Sequence, residues 1–442
     1  MEVIKPPNHL DVIPQQWAAM MDAIDRLAPV DRYQHWNELR LEPVIQGVSH
    51  EAWWAALKVT RLPRLRAVGP RGKTGFLCGR PEALDELFHE LDRCGPGQLA
   101  EVGEEDRFSR SALLREAVGS AALAGSVVKL EEAREAIRAG RPPRNVDERV
   151  VLNLFGALVH LRGLARQPLT RVLLQDLHRR ITADTLEPGV PGRLRRAGES
   201  AAQEDYLPPP PDELPDRLDQ LCAFANGAPA GSFLHPVIRA VVLHFWLAHD
   251  RPFADGNGRT ARALFYWSVW RQGYDLFALV PLSPRLAGDP ERYARAFRET
   301  ETDDYDLTYF VLHQGEAIRA GLRAARERRD RKQGRLQEGS RQGRVFNLLN
   351  RRQQAVICRA LHEPETVFGI ARHQHSHGVT HQTARDDLFD LVRRDLLTVT
   401  RERRIYRFRA AADLAAGLQA PAGRRRGART IATDEGLPTS LL

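Results

Sequence analysis

Residues 250–262 read DRPFADGNGRTAR and stand between two apolar stretches, HPVIRAVVLHFWLAH before them and TARALFYWSVWRQG overlapping their end. The pattern predicts two buried helices joined by a tight turn. Gly256, Asn257 and Gly258 all tolerate positive φ, so their successive backbone N–H groups can converge into a nest that binds an anion. The second helix is predicted to begin near Thr260, and its N-terminal dipole would point at the same place.

The two arginines that follow the turn strengthen the prediction of an anion site. Arg259 and Arg262 are three residues apart and therefore share one helix face, where two guanidinium forks can bind a di- or triphosphate. Cations in a first helical turn are disfavoured by the dipole, which argues for an anionic partner. Asp255, just before the nest, is placed to hold a magnesium ion between phosphates. The alternative is an ordinary Asn-Gly connection followed by a solvated basic turn.

The same stretch resembles the signature of the Fic (Fic/Doc) family, His-Pro-Phe-x-Asp/Glu-Gly-Asn-Gly-Arg-x-x-Arg. The resemblance extends to FLHPVIRAVVLHFW upstream and to TETDDYDLTYF at residues 300–310, and covers roughly residues 30–410. These segments are similar to a bacterial subgroup with an N-terminal helical extension and a C-terminal winged helix. The resemblance implies a mainly α protein, with a Fic helical core, a small β-hairpin flap and a C-terminal winged helix-turn-helix.

Many members of the family transfer AMP from ATP to a Ser, Thr or Tyr hydroxyl of a target protein. The resemblance assigns the cofactor, ATP or another nucleotide with Mg²⁺, to Asp255, Gly256, Asn257, Gly258, Arg259 and Arg262. In that assignment Asp255 serves the magnesium ion and Arg262 holds the terminal phosphate. The hairpin around residues 193–210 would be the flap that positions the target.

One departure from the family lies at the catalytic position. The family's histidine precedes Pro-Phe, and here that position is Arg251. A histidine acts there as a general base because its pKa lies near neutrality, whereas arginine stays protonated in proteins. Losing such a base typically costs roughly 10²–10⁴-fold in rate. His249, two residues earlier, would replace the base only if the loop shifted.

A second departure concerns inhibition. Many Fic proteins carry Ser/Thr-x-x-x-Glu-Gly/Asn on a helix, and its glutamate pairs with the second signature arginine. The matching segment here is SAALAG at residues 120–125, with Ala124 at the glutamate position. We expect nothing in this segment to pair with Arg262, so that the terminal-phosphate site is open. The alternative is that the small residues of this segment serve only the close packing of helices.

These departures leave the enzymatic activity uncertain and support three hypotheses. The first is a nucleotide-dependent transferase with a non-standard site, in which Arg251 neutralises an acceptor that is already an anion, such as phosphate or carboxylate. The acceptor would be a protein or a small molecule. The second is a catalytically silent pseudoenzyme that senses a nucleotide and regulates DNA binding. The third is that Arg251 is an introduced, inactivating substitution.

The chain pattern predicts five segments: an N-terminal helical packing subdomain at 1–110, a Fic-like nucleotide-binding core at 111–325, a linker at 326–344, a winged helix-turn-helix at 345–410 and a disordered tail at 411–442. Within the core, residues 111–140 repeat apolar residues at helical spacing up to Gly140. Thr170 is a candidate N-cap of a later helix.

The C-terminal segment has helical patterns at 351–361, 367–373 and 380–396, followed by two alternating strands. In a winged helix, the start of the third helix enters the major groove, and here it offers Thr380, His381, Gln382, Thr383 and Arg385. Arg401, Arg403 and Arg404 would lie in the wing, near phosphates. The alternative is a winged helix that contacts protein or forms a homodimer. Four histidines lie close together in the sequence: His373, His375, His377 and His381. They predict either a solvated polar turn or a metal site.

Composition adds weaker constraints. The net charge of +8 is carried almost entirely by arginine, which fits a polyanionic partner and equally an arginine-rich codon bias. The four cysteines are scattered and form no metal-type pair. With no signal-like N-terminus and no uncharged stretch of membrane-spanning length, the sequence predicts a cytoplasmic protein without membrane contact.

Overall fold

The computed structural model describes the chain at residues 3–11, 17–18, 21, 33–43, 48–69, 75–94, 105–199, 207–227, 233–341, 345–402, 405–414, 418 and 432–433. The chain divides into two compact units, Met1–Arg326 and Glu327–Leu442. Among the described residues, no helix is both long enough and apolar enough to cross a membrane.

The first unit is mainly helical. The helices that begin in it are α1 (Trp36–Leu39), α2 (His50–Arg61), α3 (Glu82–Arg93), α4 (Glu105–Ala122), α5 (Leu130–Ala139), α6 (Val146–Leu164), α7 (Arg171–Ile181), α8 (Leu214–Ala225), α9 (Pro236–Asp250), α10 (Asn257–Arg271), α11 (Ser283–Leu286), α12 (Pro290–Thr302) and α13 (Thr308–Arg341). Strands β1 (Arg66–Val68) and β2 (Phe76–Cys78) form an antiparallel pair, with Val68 opposite Phe76. Thr170 caps α7, as its sequence predicts, by accepting a hydrogen bond from the Leu173 N–H at 3.1 Å.

Helices α9 and α10 lie at the centre of this unit. Both are apolar on nearly every face, which is the pattern of a helix buried all round. The side chains of Phe245 and Trp246 on α9, and of Tyr266 and Trp267 on α10, are at most 1% exposed. The six residues that join the two helices are therefore held at both ends by buried structure.

Residues 111–140 form two helices rather than the continuous one that their apolar spacing predicts. Helix α4 ends at Ala122, and α5 begins at Leu130. Gly125 adopts the left-handed conformation at φ +90°, and the Ser126 N–H bonds back to the Ala121 carbonyl at 3.1 Å. A left-handed glycine with such a return bond is a common helix ending, and apolar spacing alone does not reveal it.

Helix α4 packs closely against the start of α11. A Cβ placed on Gly119 would lie 2.4 Å from the Pro284 nitrogen, so only glycine allows this approach. One turn earlier, the buried Glu116 carboxylate accepts hydrogen bonds from the Leu282 N–H and the Ser283 N–H, both at 2.8 Å. The two contacts fix the C-terminal half of α4 in the core.

The second unit contains α14 (Arg351–His362), α15 (Ile370–His377), α16 (His381–Arg393), β3 (Leu397–Glu402), β4 (Ile405–Ala410) and β5 (Ala432–Thr433). The order of the helices and of the first two strands is the order that the sequence predicts. Strands β3 and β4 pair antiparallel, and β5 pairs parallel to β3. The unit has its own core, in which Ile357, Leu388, Leu391 and Phe408 are fully buried.

Two predicted boundaries differ from the structure. The segment assigned to a linker at 326–344 is helical as far as Arg341, because its charged residues are good helix formers and α13 simply continues. Most of the tail predicted at 411–442 lies outside the described residues. Leu414 and Leu418, however, are buried in the core of the second unit, so this core extends past residue 410.

We predict that Gly119→Ala destabilises the first unit, whereas Gly156→Ala on the exposed face of α6 does not. A methyl at Gly119 would collide with backbone atoms, and overpacking of this kind costs about 1–3 kcal/mol. At Gly156 nothing lies within 4 Å of the added methyl, so alanine should stabilise the helix by up to about 1 kcal/mol. Urea unfolding followed by tryptophan fluorescence measures both effects, since every tryptophan lies at or before position 270. Equal stability of the two variants would contradict the close contact between Gly119 and Pro284.

Candidate functional site

The turn between α9 and α10 is closed by its own backbone and by one side chain. Arg251, which caps α9, is left-handed at φ 44° and ψ 61°, and Gly256 is left-handed at φ 78°. The Asn257 carboxamide accepts a hydrogen bond from the Phe253 N–H at 2.9 Å and donates one to the Phe253 carbonyl at 2.7 Å. Asn257 thus holds the turn through its side chain, and its backbone N–H remains available.

The second helix begins at Asn257, three residues before the predicted start near Thr260. Of the three turn residues that tolerate positive φ, only Gly256 adopts it. The backbone N–H groups of Asn257, Gly258 and Arg259 have no hydrogen-bond acceptor among the described residues, and Thr260 is the first to bond back along the helix, to Gly256. The predicted nest is therefore a helix N-terminus with three open donors, a geometry that binds anions.

Arg259 and Asp255 form an ion pair beside these donors. The Arg259 Nη2 donates to the Asp255 Oδ2 at 2.8 Å. The Arg259 side chain is 7% exposed and the Asp255 side chain 63% exposed, and burial lowers the pKa of Arg259. Magnesium is commonly held by one or two carboxylates together with substrate phosphates and water. An exposed carboxylate next to a helix N-terminus fits that requirement, so Asp255 is a suitable ligand.

The expectation that Arg262 has no partner in residues 120–125 is wrong. The Arg262 Nε donates to the Ser120 Oγ at 2.8 Å, and its Nη2 donates to the Ser120 carbonyl at 2.9 Å. Ser120 lies in the last turn of α4, where carbonyl groups lack intrahelical partners, and Arg262 supplies the missing donor. The partner of Arg262 is therefore the serine that begins the segment, and not a residue at the glutamate position, Ala124.

His178 on α7 connects the turn to the segment that precedes the predicted flap. Its Nδ1 accepts a hydrogen bond from the Gly192 N–H at 2.8 Å, so the proton is on Nε2, which donates to the Asp255 carbonyl at 2.8 Å. The ring stacks on Phe253 with a centroid distance of 3.8 Å. Burial lowers the pKa of His178 to about 4. A neutral histidine is therefore part of the architecture of the site.

The described part of the predicted hairpin at 193–210 is attached to the turn. Leu194 and Phe253 form an isolated antiparallel bridge, and the Arg195 N–H donates to the Pro252 carbonyl at 2.9 Å. The buried Arg195 side chain donates through Nε to the Arg251 carbonyl at 2.7 Å and through Nη2 to the Pro209 carbonyl. Residues 200–206 of the hairpin lie outside the described residues.

The two predicted catalytic positions have different surroundings. Arg251 is half-buried, and its backbone is bonded to Arg195 and to the Leu247 carbonyl. His249 is 4% exposed and lies 3.2 Å from Glu301, between their Nδ1 and Oε1 atoms. Its ring also stacks on Phe245. These contacts place His249 on the side of α9 that faces α12.

The predicted nucleic-acid residues cluster at the start of α16. Thr380 caps the helix by accepting from the Thr383 N–H at 3.1 Å. The Gln382 Nε2 donates to the Asp386 carboxylate at 2.9 Å, and the exposed Arg385 lies 5.5 Å from the Phe389 ring centroid. Of the predicted wing arginines, Arg401 is exposed on β3, whereas Arg403 and Arg404 lie outside the described residues.

The predicted histidine cluster does not assemble around one point. His373 is buried and its Nε2 lies 3.1 Å from the Asp387 Oδ2, while its ring lies 4.7 Å from that of His377. His375 and His381 are exposed. Within the described part of the chain, no group of three or more His, Cys, Asp or Glu side chains is placed to hold a metal ion.

The fold and the turn together define a mainly helical protein in which α10 begins with three backbone donors that have no acceptor among the described residues. Residues 168–269 match the model of the Fic/DOC family, and the chain therefore contains a Fic/DOC family domain. It is similar to the protein adenylyltransferase Fic of Aedes aegypti, with 28% identity over 204 residues that make up 44% of this chain and 40% of that relative. The corresponding protein of Drosophila mojavensis is 28% identical over 38% of this chain and 34% of its own length.

The chain thus spans about two fifths of the length of these curated relatives. Its fold is also similar to the crystal structure of a Fic family protein from Desulfovibrio desulfuricans. That match has a TM-score of 0.50 and 18% sequence identity, and covers 78% of this chain and 99% of that chain.

We predict that His178→Gln makes the stability of the first unit less dependent on pH. Because the folded state lowers the pKa of His178 from about 6.5 to about 4, its neutral form stabilises the protein fully above pH 6.5. This stabilisation is lost as the pH falls toward 4, and about 2 kcal/mol of it should disappear between pH 7 and pH 5.

Urea unfolding monitored by tryptophan fluorescence at pH 7 and pH 5 measures this loss. The wild type should lose about 2 kcal/mol more than His178→Gln over this interval. His160→Gln, at an exposed position of α6, is the matched control and should behave like the wild type. An undiminished pH dependence in His178→Gln would show that the ring is not held neutral.

Proposed function

We propose that this chain binds a nucleotide at residues 255–262 and transfers its nucleotidyl group to an acceptor. The observation that carries the proposal is the open N-terminus of α10, where three backbone donors stand beside two buried arginines and one exposed carboxylate. Isolated helix termini of this kind are common, but two desolvated guanidinium groups at a positive dipole end are unfavourable without an anion. The adenylyltransferase names of the relatives agree with a nucleotide ligand.

Within this proposal the phosphates contact the N–H groups of Asn257, Gly258 and Arg259. The guanidinium of Arg259 is close to the same donors through its pair with Asp255, and Asp255 would hold a magnesium ion that neutralises phosphate charge. The nucleotide is ATP or another nucleoside phosphate, since none of these contacts involves a base.

Arg251 determines the proposed chemistry. A protonated guanidinium cannot accept the proton of a hydroxyl group, so we propose an acceptor whose attacking oxygen is already an anion. That oxygen bonds to the α-phosphorus while the bond to the bridging oxygen breaks, and the pyrophosphate of a triphosphate leaves with the electron pair. Arg251 would neutralise the acceptor or the charge that develops in the transition state.

A label-transfer assay tests this chemistry. Nucleoside triphosphates labelled at the α-phosphate are incubated with the protein, magnesium, cell lysate and small anionic acceptors. We expect the wild type to transfer label, Arg251→Ala to lose transfer, and Arg262→Ala to lose it as well. Equilibrium dialysis with the same nucleotides is run alongside, so that binding and transfer are separated.

The restored-base variant Arg251→His distinguishes the alternatives. Transfer by Arg251→His alone would exclude the proposed anionic acceptor and leave a binding protein without turnover. Absence of both transfer and binding in every variant would overturn the proposal. Transfer by the wild type to a protein hydroxyl would retain the transferase and remove the proposed role of Arg251.

A second candidate is a nucleotide sensor that regulates DNA binding without turnover. Its support is the second unit, in which three helices precede an antiparallel β-hairpin and the start of α16 is exposed. We propose that this unit is a winged helix-turn-helix and that Gln382 and Arg385 approach base edges. Asp386, which engages Gln382, would have to release it on binding.

DNA binding by the full chain should weaken steeply with salt, by about 10³-fold or more between 50 and 200 mM if six phosphates are contacted. Fluorescence anisotropy with and without nucleotide measures the effect. Arg385→Ala should reduce affinity, whereas Arg359→Ala, an exposed position of α14 paired with Glu363, should not. DNA binding that does not weaken with salt, or a DNA affinity that is the same with and without nucleotide, would rule out the sensor.

A further inference from the structure

The contact between Ser120 and Arg262 uses one defined edge of the guanidinium group. An arginine offers two edges that can bind oxygen atoms bidentately, one formed by Nε and one Nη atom and the other by both Nη atoms. Ser120 occupies the first edge completely, with its hydroxyl on Nε and its carbonyl on Nη2. The arginine is therefore held in a fixed orientation by a single residue.

The other edge of Arg262 lies next to the open helix start. Its Nη1 is 3.1 Å from the position that a Cβ on Gly258 would occupy, and Gly258 carries one of the three open N–H groups. Glycine at this position lets the guanidinium approach the helix start. The Nη1 side of the fork and the backbone donors of α10 thus share the same small region.

The anchoring helix is itself rigidly placed. Ser120 is 2% exposed and lies one residue after Gly119, whose close approach to Pro284 fixes α4 against α11. Tyr293 supports Arg262 in addition, since a hydrogen bond between them lowers the pKa of the phenol against the raising effect of burial. The Tyr293 hydroxyl is bonded in turn to His244 Nε2 at 2.7 Å.

We infer that Ser120 is a positioning residue that orients Arg262 for the terminal phosphate of a nucleoside triphosphate. The inference rests on the proposed nucleotide binding at residues 255–262 and specifies which part of the ligand Ser120 selects. A guanidinium that is oriented before binding loses little conformational freedom when the phosphate arrives. A diphosphate that leaves the terminal position empty gains nothing from this orientation, so Ser120 sets the preference for triphosphate over diphosphate.

The test is a set of binding titrations with ATP and ADP in the presence of magnesium, on the full chain. GTP with GDP, CTP with CDP, and UTP with UDP are titrated in parallel. We expect Ser120→Ala to weaken triphosphate binding about tenfold, which corresponds to the loss of one hydrogen bond to a charged group. Diphosphate binding should remain at the wild-type level. Ser109→Ala is the matched control, because Ser109 also lies buried on α4 and its hydroxyl accepts from Arg162.

A double-mutant cycle distinguishes an effect through Arg262 from a general effect on folding. Lysine has no fork to orient, so Ser120→Ala should not change the triphosphate-to-diphosphate ratio further in an Arg262→Lys background. An unchanged ratio in the single variant, or tighter triphosphate binding because Ser120 only competes for Arg262, would overturn the inference. Failure of the wild type to bind any of the nucleotides would instead overturn the proposed function.

Discussion

The hydrogen bond from His178 Nε2 to the Asp255 carbonyl is the constraint on which the rest of the site depends. It fixes the carbonyl that precedes Gly256, and the same ring holds the Gly192 N–H on its other nitrogen. One neutral imidazole therefore sets both the helix start and the beginning of the predicted flap. Gly256 is required by the same contact, because a Cβ there would lie 2.7 Å from Thr182 and 3.1 Å from the ring. The left-handed conformation of Gly256 and the position of the His178 ring therefore depend on each other.

The positive side chains around this turn lie at the end of a helix where positive charge is usually disfavoured. Positive side chains are unfavourable near an N-terminus, where the dipole is positive, and Arg259 and Arg262 are both about 6% exposed there. The protein offsets this cost locally: Asp255 pairs with Arg259, and Ser120 accepts from Arg262. Neither partner fully neutralises the region, since a serine carries no charge and Asp255 is exposed to solvent. An anion at the open N–H groups would complete the compensation, as the proposed nucleotide binding requires.

Sequence patterns predicted the turn between two buried helices because its essential features are local. Gly256 and Gly258 on either side of Asn257, and two arginines three residues apart, lie within one short stretch, so a tight turn followed by a helix could be predicted from it. What the sequence missed comes from distant segments: His178, Arg195 and the role of Ser120. A histidine on the inner face of a helix, next to Leu174 and Leu177, looks like any buried side chain. Only the folded chain shows that its two nitrogens face the Gly192 N–H and the Asp255 carbonyl.

The same distinction explains the errors in element boundaries. Apolar spacing continued through residues 123–129, and a left-handed Gly125 ended the helix there. In the second unit, where capping and alternation are both local signals, the first and third predicted helices lie within three residues of the observed bounds, whereas the second, predicted at 367–373, is found at Ile370–His377. Helix α16 begins one residue after the Thr380 cap, and β3 and β4 pair antiparallel from Leu397 opposite Ala410 to Glu402 opposite Ile405.

The backbone of Arg251 takes part in the architecture of this turn. The N–H of residue 251 closes α9 on the Leu247 carbonyl, and its carbonyl accepts from Arg195. The left-handed conformation is strained for any residue with a Cβ, and this strain hardly depends on whether the side chain is arginine or histidine. These backbone bonds fix the path of the chain at residue 251. Under the proposed function, an exchange of arginine for histidine would alter the proton chemistry at this position, whereas these backbone bonds do not depend on the side chain.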